Sequence, residues 1–152
     1  MLRIDHVVFP AFDAAASLNF YRDVMGFALI ESFSGDDWGG YPWLMMIFSP
    51  GDGREIVLVA LKGAKRPKPD GLAKDVRHLA FGEKTVSGLA KWRRKLDSAK
   101  IAYWEETHGR RKSLYFEDPN GMILEITAPP SRAKGKTGKK AHAFAEEWIA
   151  AR

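Results

Sequence analysis

The chain has 152 residues, 45% hydrophobic and 28% charged, a composition that fits one folded domain with its own core and excludes a disordered chain. It contains no cysteine, which excludes a disulfide framework, a thiolate metal site and a cysteine nucleophile; any metal must be held by His, Asp or Glu. The formal net charge of +5 is matched by Arg132, Lys134, Lys136, Lys139 and Lys140, a glycine-containing stretch without interleaved aromatics that reads as a solvated linker and not as a nucleic-acid groove.

The N-terminus alternates apolar and polar residues like a strand, with Ile4-Asp5-His6-Val7-Val8-Phe9 as its body, and lacks the apolar core of a signal peptide. An amphipathic helix is expected over 14–24, with Ala15, Leu18, Tyr21 and Val24 or Met25 on one stripe and Asp13 as its N-cap. Three strand-like runs follow, at about 27–33, 42–49 and 54–61, the last two separated by the turn Ser49-Pro50-Gly51-Asp52-Gly53. Segment 62–75, with Pro67, Pro69 and Gly71, reads as a connector. A second strand then carries Val76-Arg77-His78-Leu79-Ala80-Phe81, and a second helix over 85–97 has Thr85 at its cap and Val86, Leu89, Trp92 or Arg93, and Leu96 on its stripe. Strand runs at about 101–105, 112–117 and 121–127 close this part, with Asp118-Pro119-Asn120-Gly121 as the turn before the last. Past Pro129-Pro130 come the basic linker and a C-terminal helix over 140–151, with Phe144 and Trp148 at i, i+4.

Read in this order, the chain repeats itself. His6 and His78 sit at the same place in two similar strands, at an offset of 72 that also pairs Phe20 with Trp92 and Val24 with Leu96. The repeating unit is strand-helix-strand-strand-strand. The expected fold is therefore α+β: two βαβββ modules forming paired mixed sheets around a cleft, plus a C-terminal helix. The expected division is 1–130 (modules 1–62 and 75–130), with 131–152 as basic linker and helix. A lone strand histidine is more often a half-buried polar residue than a ligand; duplication is what makes His6 and His78 a candidate pair.

Paired βαβββ modules, a histidine on each first strand, Phe20-Tyr21-Arg22-Asp23-Val24-Met25-Gly26-Phe27 at the helix-to-strand turn and the closing Asp118-Pro119-Asn120-Gly121-Met122-Ile123-Leu124-Glu125 resemble the vicinal-oxygen-chelate superfamily over about residues 2–128. That superfamily includes glyoxalase I, extradiol dioxygenases, fosfomycin-resistance thiol transferases and metal-free bleomycin-binding proteins. The resemblance implies curved sheets and metal ligands His6, His78 and Glu125. It places the fourth ligand position of glyoxalase I within Val57-Leu58-Val59, which offers no donor. Two imidazoles and one carboxylate leave open coordination positions and suit Fe, Mn, Zn or Ni. A site with that charge favours an anionic, oxygen-chelating small molecule.

The extradiol signature His-x5-Leu-Tyr-x2-Asp-Pro-x-Gly-x3-Glu is matched by His108, Leu114, Tyr115, Asp118, Pro119, Gly121 and Glu125, with Glu106 a departure from its usual small or apolar residue. By resemblance, His108 is an acid/base or hydrogen-bonding group and Tyr115 a donor to bound substrate. Both have blander readings, as a loop residue and as a feature common to the superfamily. Trp38 and Tyr41, set among glycines, read either as a lid over an apolar pocket or as part of a mobile loop. The resulting expectation is a cytoplasmic, homodimeric, divalent-metal-dependent enzyme, with extradiol-type cleavage as the best single chemistry and neither nucleic acid nor membrane as a partner. A glyoxalase-like lyase or isomerase, a thiol transferase and a metal-free binding protein are the alternatives.

Overall fold

The computed structural model describes residues 2–130 and 140–151, so that most of the expected linker lies outside the described residues. In the first module, β1 (His6–Ala11) leads into α1 (Ala14–Asn19), whose last turn widens into a π turn at Phe20–Val24. Then come β2 (Ala28–Trp38), β3 (Tyr41–Ser49) and β4 (Glu55–Leu61). The second module repeats the order with β5 (His78–Gly82), a short 3-10 turn running into α2 (Leu89–Ser98), β6 (Tyr103–His108), β7 (Arg111–Glu117) and β8 (Ile123–Ala128). Each module forms its own four-stranded mixed sheet, ordered β1-β4-β3-β2 and β5-β8-β7-β6, in which only the first and last strands pair in parallel.

The expected caps form. Asp13 Oδ1 accepts from the Ala16 N–H at 2.9 Å, and Thr85 Oγ1 accepts from the Gly88 N–H at 3.1 Å, each satisfying a donor that the helix start leaves free. Several boundaries differ from the sequence reading; β6, expected at about 101–105, runs over Tyr103–His108, so His108 stands on a strand and not in a loop. β1 starts at His6 and not at Ile4, because Leu2 and Ile4 lie exposed beyond the reach of β4. α1 keeps its α geometry only to Asn19; beyond it the Met25 N–H donates to the Phe20 carbonyl at 2.9 Å, the wider spacing of a π turn. β2 runs on to Trp38 through what reads as a glycine loop. Gly35 is tolerated there because the Trp43 indole lies over it, where a Cβ would come within 2.6 Å of Nε1.

Strand alternation sends Val7, Phe9, Leu79, Phe81, Leu124 and Ile126 into one core shared by both modules, with Tyr21, Phe48, Leu58, Leu96 and Phe116 fully buried inside it. The modules are joined across this core by the Phe20–Phe116 and Phe27–Phe81 ring contacts at 6.3 and 5.3 Å. A polar lock accompanies them: the Tyr21 hydroxyl donates to Asp118 Oδ2 at 3.0 Å, and the Phe12 N–H donates to Asn120 Oδ1 at 2.8 Å. The C-terminal helix α3 (Ala141–Ala150) forms as expected, yet all its residues are exposed, Phe144 and Trp148 included. Among the described residues no helix is long and apolar enough to cross a membrane.

Candidate functional site

Because side chains alternate along a strand, the face of each sheet opposite the core is set by the same pattern. In the second module that outer face carries His78 on β5, Glu125 and Thr127 on β8, Ser113 and Tyr115 on β7, and Trp104, Glu106 and His108 on β6. Ala80 is the cross-strand partner of Glu125, so Glu125 sits one row further along than His78 and reaches back toward it. His78 Nε2 and Glu125 Oε2 come to 3.1 Å. The opposite ring nitrogen, Nδ1, lies 2.7 Å from the Asp75 carbonyl, which fixes the imidazole orientation and leaves Nε2 aimed at the carboxylate.

Glu125 is buried, and its other oxygen is occupied: the Ser113 hydroxyl donates to Oε1 at 2.6 Å. Tyr115 stands edge-on to His78, with ring centroids 5.7 Å apart, and its outer surface is covered by Trp104 stacked at 5.2 Å. Burial first, then the charge of Glu125, holds the Tyr115 phenol above its ordinary value, so it remains a hydrogen-bond donor at neutral pH. Trp104 Nε1 in turn donates to Glu106 Oε1 at 3.0 Å, and His108 Nε2 lies 3.1 Å from Glu106 Oε2. The residue that departs from the extradiol signature is thus the one that ties His108 to Trp104.

The outer face of the first module is different in kind. His6 and Val8 lie on it beside the apolar row Pro10, Val59, Met45 and Phe33. Val8 is 52% exposed and Phe33 50%, although outward strand positions normally carry polar residues. His6 Nδ1 lies 3.0 Å from Asp5 Oδ2, so it too has one ring nitrogen engaged by oxygen. Val57 pairs with Val8 as Glu125 pairs with Ala80, so the residue equivalent to Glu125 in the first module is the apolar Val57. Glu55 is one row earlier, directly opposite His6. Further along β1 lies a cavity of about 260 Å³ lined by Val8, Pro10, Phe12, Trp38, Val59 and neighbours, none of them charged.

His78, Glu125 and Tyr115 are therefore brought together, with His108 linked to them through Glu106 and Trp104. His6 is not; it belongs to the other sheet, and among the described residues no three His, Asp or Glu side chains converge in a geometry that could hold a metal. Ser113, Thr127, Asp75 and Trp104 contribute to the site without having been singled out in the sequence for a role there. Ser113 carried a usable signal, since it stands two residues from Tyr115 on a strand whose alternation was legible; Trp104 carried less, because the strand expected at 101–105 stopped short of His108. Asp75 carried none, because it acts through its backbone carbonyl.

A family model described as the Glyoxalase/Bleomycin resistance protein/Dioxygenase superfamily matches residues 3–126. No curated protein matches the sequence. Among solved structures, a glyoxylase/bleomycin resistance protein/dioxygenase domain from Frankia sp. EAN1pec is similar with a TM-score of 0.66 at 18% identity, over 86% of this chain and 99% of that one. The trypanothione-dependent glyoxalase I of Leishmania major reaches 0.62 at 18% identity over 99% and 100% of the two chains. A lactoylglutathione lyase from Agrobacterium tumefaciens reaches 0.60 at 20% identity over 82% and 92%. At these identities the likeness is one of fold.

Proposed function

The chain belongs to the glyoxalase/bleomycin resistance protein/dioxygenase superfamily, and on that premise we propose that it is a divalent-metal-dependent enzyme acting on a small, oxygen-chelating substrate, with His6, His78 and Glu125 as ligands. The observation that carries this reading is the His78–Glu125 pair. Two ligands bound at about 2.1 Å and at right angles on one ion stand roughly 3.0 Å apart, and Nε2 and Oε2 are 3.1 Å apart. The donor set is compatible with Fe, Mn, Zn or Ni. When bound, such an ion polarises adjacent substrate oxygens and offsets negative charge developing on them.

The third ligand requires a second subunit. His6 lies on an exposed apolar face that a soluble chain ordinarily covers, and members of this superfamily with two modules often pair. We infer a homodimer in which His6 of one subunit faces His78 and Glu125 of the other. The chain's own groups then have separable tasks. Tyr115, protonated and held by Trp104, donates a hydrogen bond to substrate oxygen. His108, oriented by Glu106, moves a proton at the exposed edge of the site. The uncharged cavity beside Val8 and Trp38 receives an apolar substrate body and excludes water from it.

Extradiol-type ring cleavage is the chemistry that best unites these features. The test is elemental analysis of protein purified without chelators, followed by oxygen uptake with a panel of catechols. Stoichiometric metal in the wild type and its loss in His78→Ala are expected. Absence of metal from the wild type refutes the reading, and turnover that requires glutathione and consumes no oxygen replaces it with the lyase or transferase alternative.

A further inference from the structure

We propose that Ser113 is the positioning residue of Glu125, holding one carboxylate oxygen so that only the other is presented to a metal ion; this rests on the metal-site reading above. Ser113 is the cross-strand partner of Thr127 on the outer face and is 1% exposed. Its hydroxyl lies 2.6 Å from Glu125 Oε1 and 3.0 Å from Thr127 Oγ1. A serine hydroxyl has one proton to give, and the shorter contact, to the Glu125 carboxyl oxygen, takes it. Thr127 must then supply the donor of the second pair, so two buried hydroxyls form a chain ending on Oε1.

The consequence is a division of labour within one carboxylate. Oε1 is committed to Ser113, while Oε2 faces His78 Nε2. The terminal torsion of a glutamate is broad and nearly two-fold, so the carboxylate would swing freely without that anchor. It could then meet an ion through both oxygens or turn toward Tyr115. With the anchor it presents a single oxygen at the separation from His78 that adjacent ligands adopt.

The experiment is calorimetric titration of the metal-free wild type, Ser113→Ala and Ser113→Thr with Zn²⁺ and with Mn²⁺, alongside their melting temperatures. Ser113→Ala is expected to bind about 10- to 100-fold more weakly, and Ser113→Thr, which keeps the hydroxyl, within a few-fold of wild type. Equal affinity in Ser113→Ala and a metal-binding wild type overturns the role of Ser113 alone; a wild type that binds neither ion overturns the metal site and this proposal together. Should Ser113→Ala fail to fold, metal-minus-apo infrared difference spectra of the wild type decide, with Glu125→Gln identifying the band. A wide separation of the carboxylate stretches supports one-oxygen ligation, and a narrow separation overturns it.

Discussion

At the scale of single residues, the site is defined by what each polar group is left free to do. His78 and His6 each have Nδ1 engaged, by the Asp75 carbonyl and the Asp5 carboxylate, so each presents Nε2. Tyr115 is kept protonated by burial and by the charge of Glu125. Replacing Tyr115 with Phe is therefore expected to leave metal content unchanged and to lower kcat about 100-fold, measured with the best substrate from the oxygen-uptake screen; an unchanged kcat removes Tyr115 from the chemistry. Trp104→Ala should lower kcat in the same direction and less steeply, because it frees the ring without deleting the hydroxyl. His78, Glu125 and Tyr115 were legible in the sequence through the closing motif and the repeat. Ser113 and Trp104 drew no assignment because their roles depend on which neighbour the pleat sets beside them.

At the scale of elements, the Asp118-Pro119-Asn120-Gly121 turn does more than reverse the chain. Asp118 accepts from the Tyr21 hydroxyl and from the Asn120 and Met122 N–H groups, so a turn of the second module is bonded to the π turn of the first. Asp118→Ala leaves the buried Tyr21 hydroxyl and two half-buried N–H groups without this acceptor and is expected to destabilise the protein by about 3 kcal/mol, read from urea unfolding. Tyr21 adds a dependence on pH. Burial, reinforced by the charge of Asp118, raises its phenol above the ordinary value. A raised folded-state value means that its stabilisation is complete below about pH 10 and is lost as pH rises further. The urea midpoint of the wild type should fall between about pH 9 and pH 11, and the Tyr21→Phe midpoint should fall less steeply. A parallel decline in both would show that other groups govern alkaline unfolding. The helix itself was readable from its apolar stripe, but its π turn was not, since that spacing serves a contact with a residue almost 100 positions away.

At the scale of the whole molecule, the exposed apolar side chains among the described residues include Val8, Phe33 and Trp38 on the first module and Phe144, Trp148 and Ile149 on the helix α3. The face bearing His6 and Val8 is proposed above to line a site shared with a partner subunit, and light scattering at micromolar concentration should give a dimer mass; a monomer would leave His6 without its counterparts. Truncation after Pro130 is expected to leave the melting temperature unchanged, because every described residue of the removed segment is solvent-exposed; a clear drop would show that the helix packs onto the assembly. The sequence alone determined the element order, the two βαβββ modules, both N-caps and the closing motif, since each rests on local periodicity or on residues a few positions apart. Only the tertiary structure decided that Val57 holds the register position equivalent to Glu125, that Glu125 meets His78 with one oxygen while Ser113 holds the other, and that His6 forms no three-residue cluster with His78 and Glu125 among the described residues. Those outcomes depend on the register between strands some 50 residues apart and on how two modules share one core, and the local hydrophobic pattern is the same for every register and packing that buries the same faces.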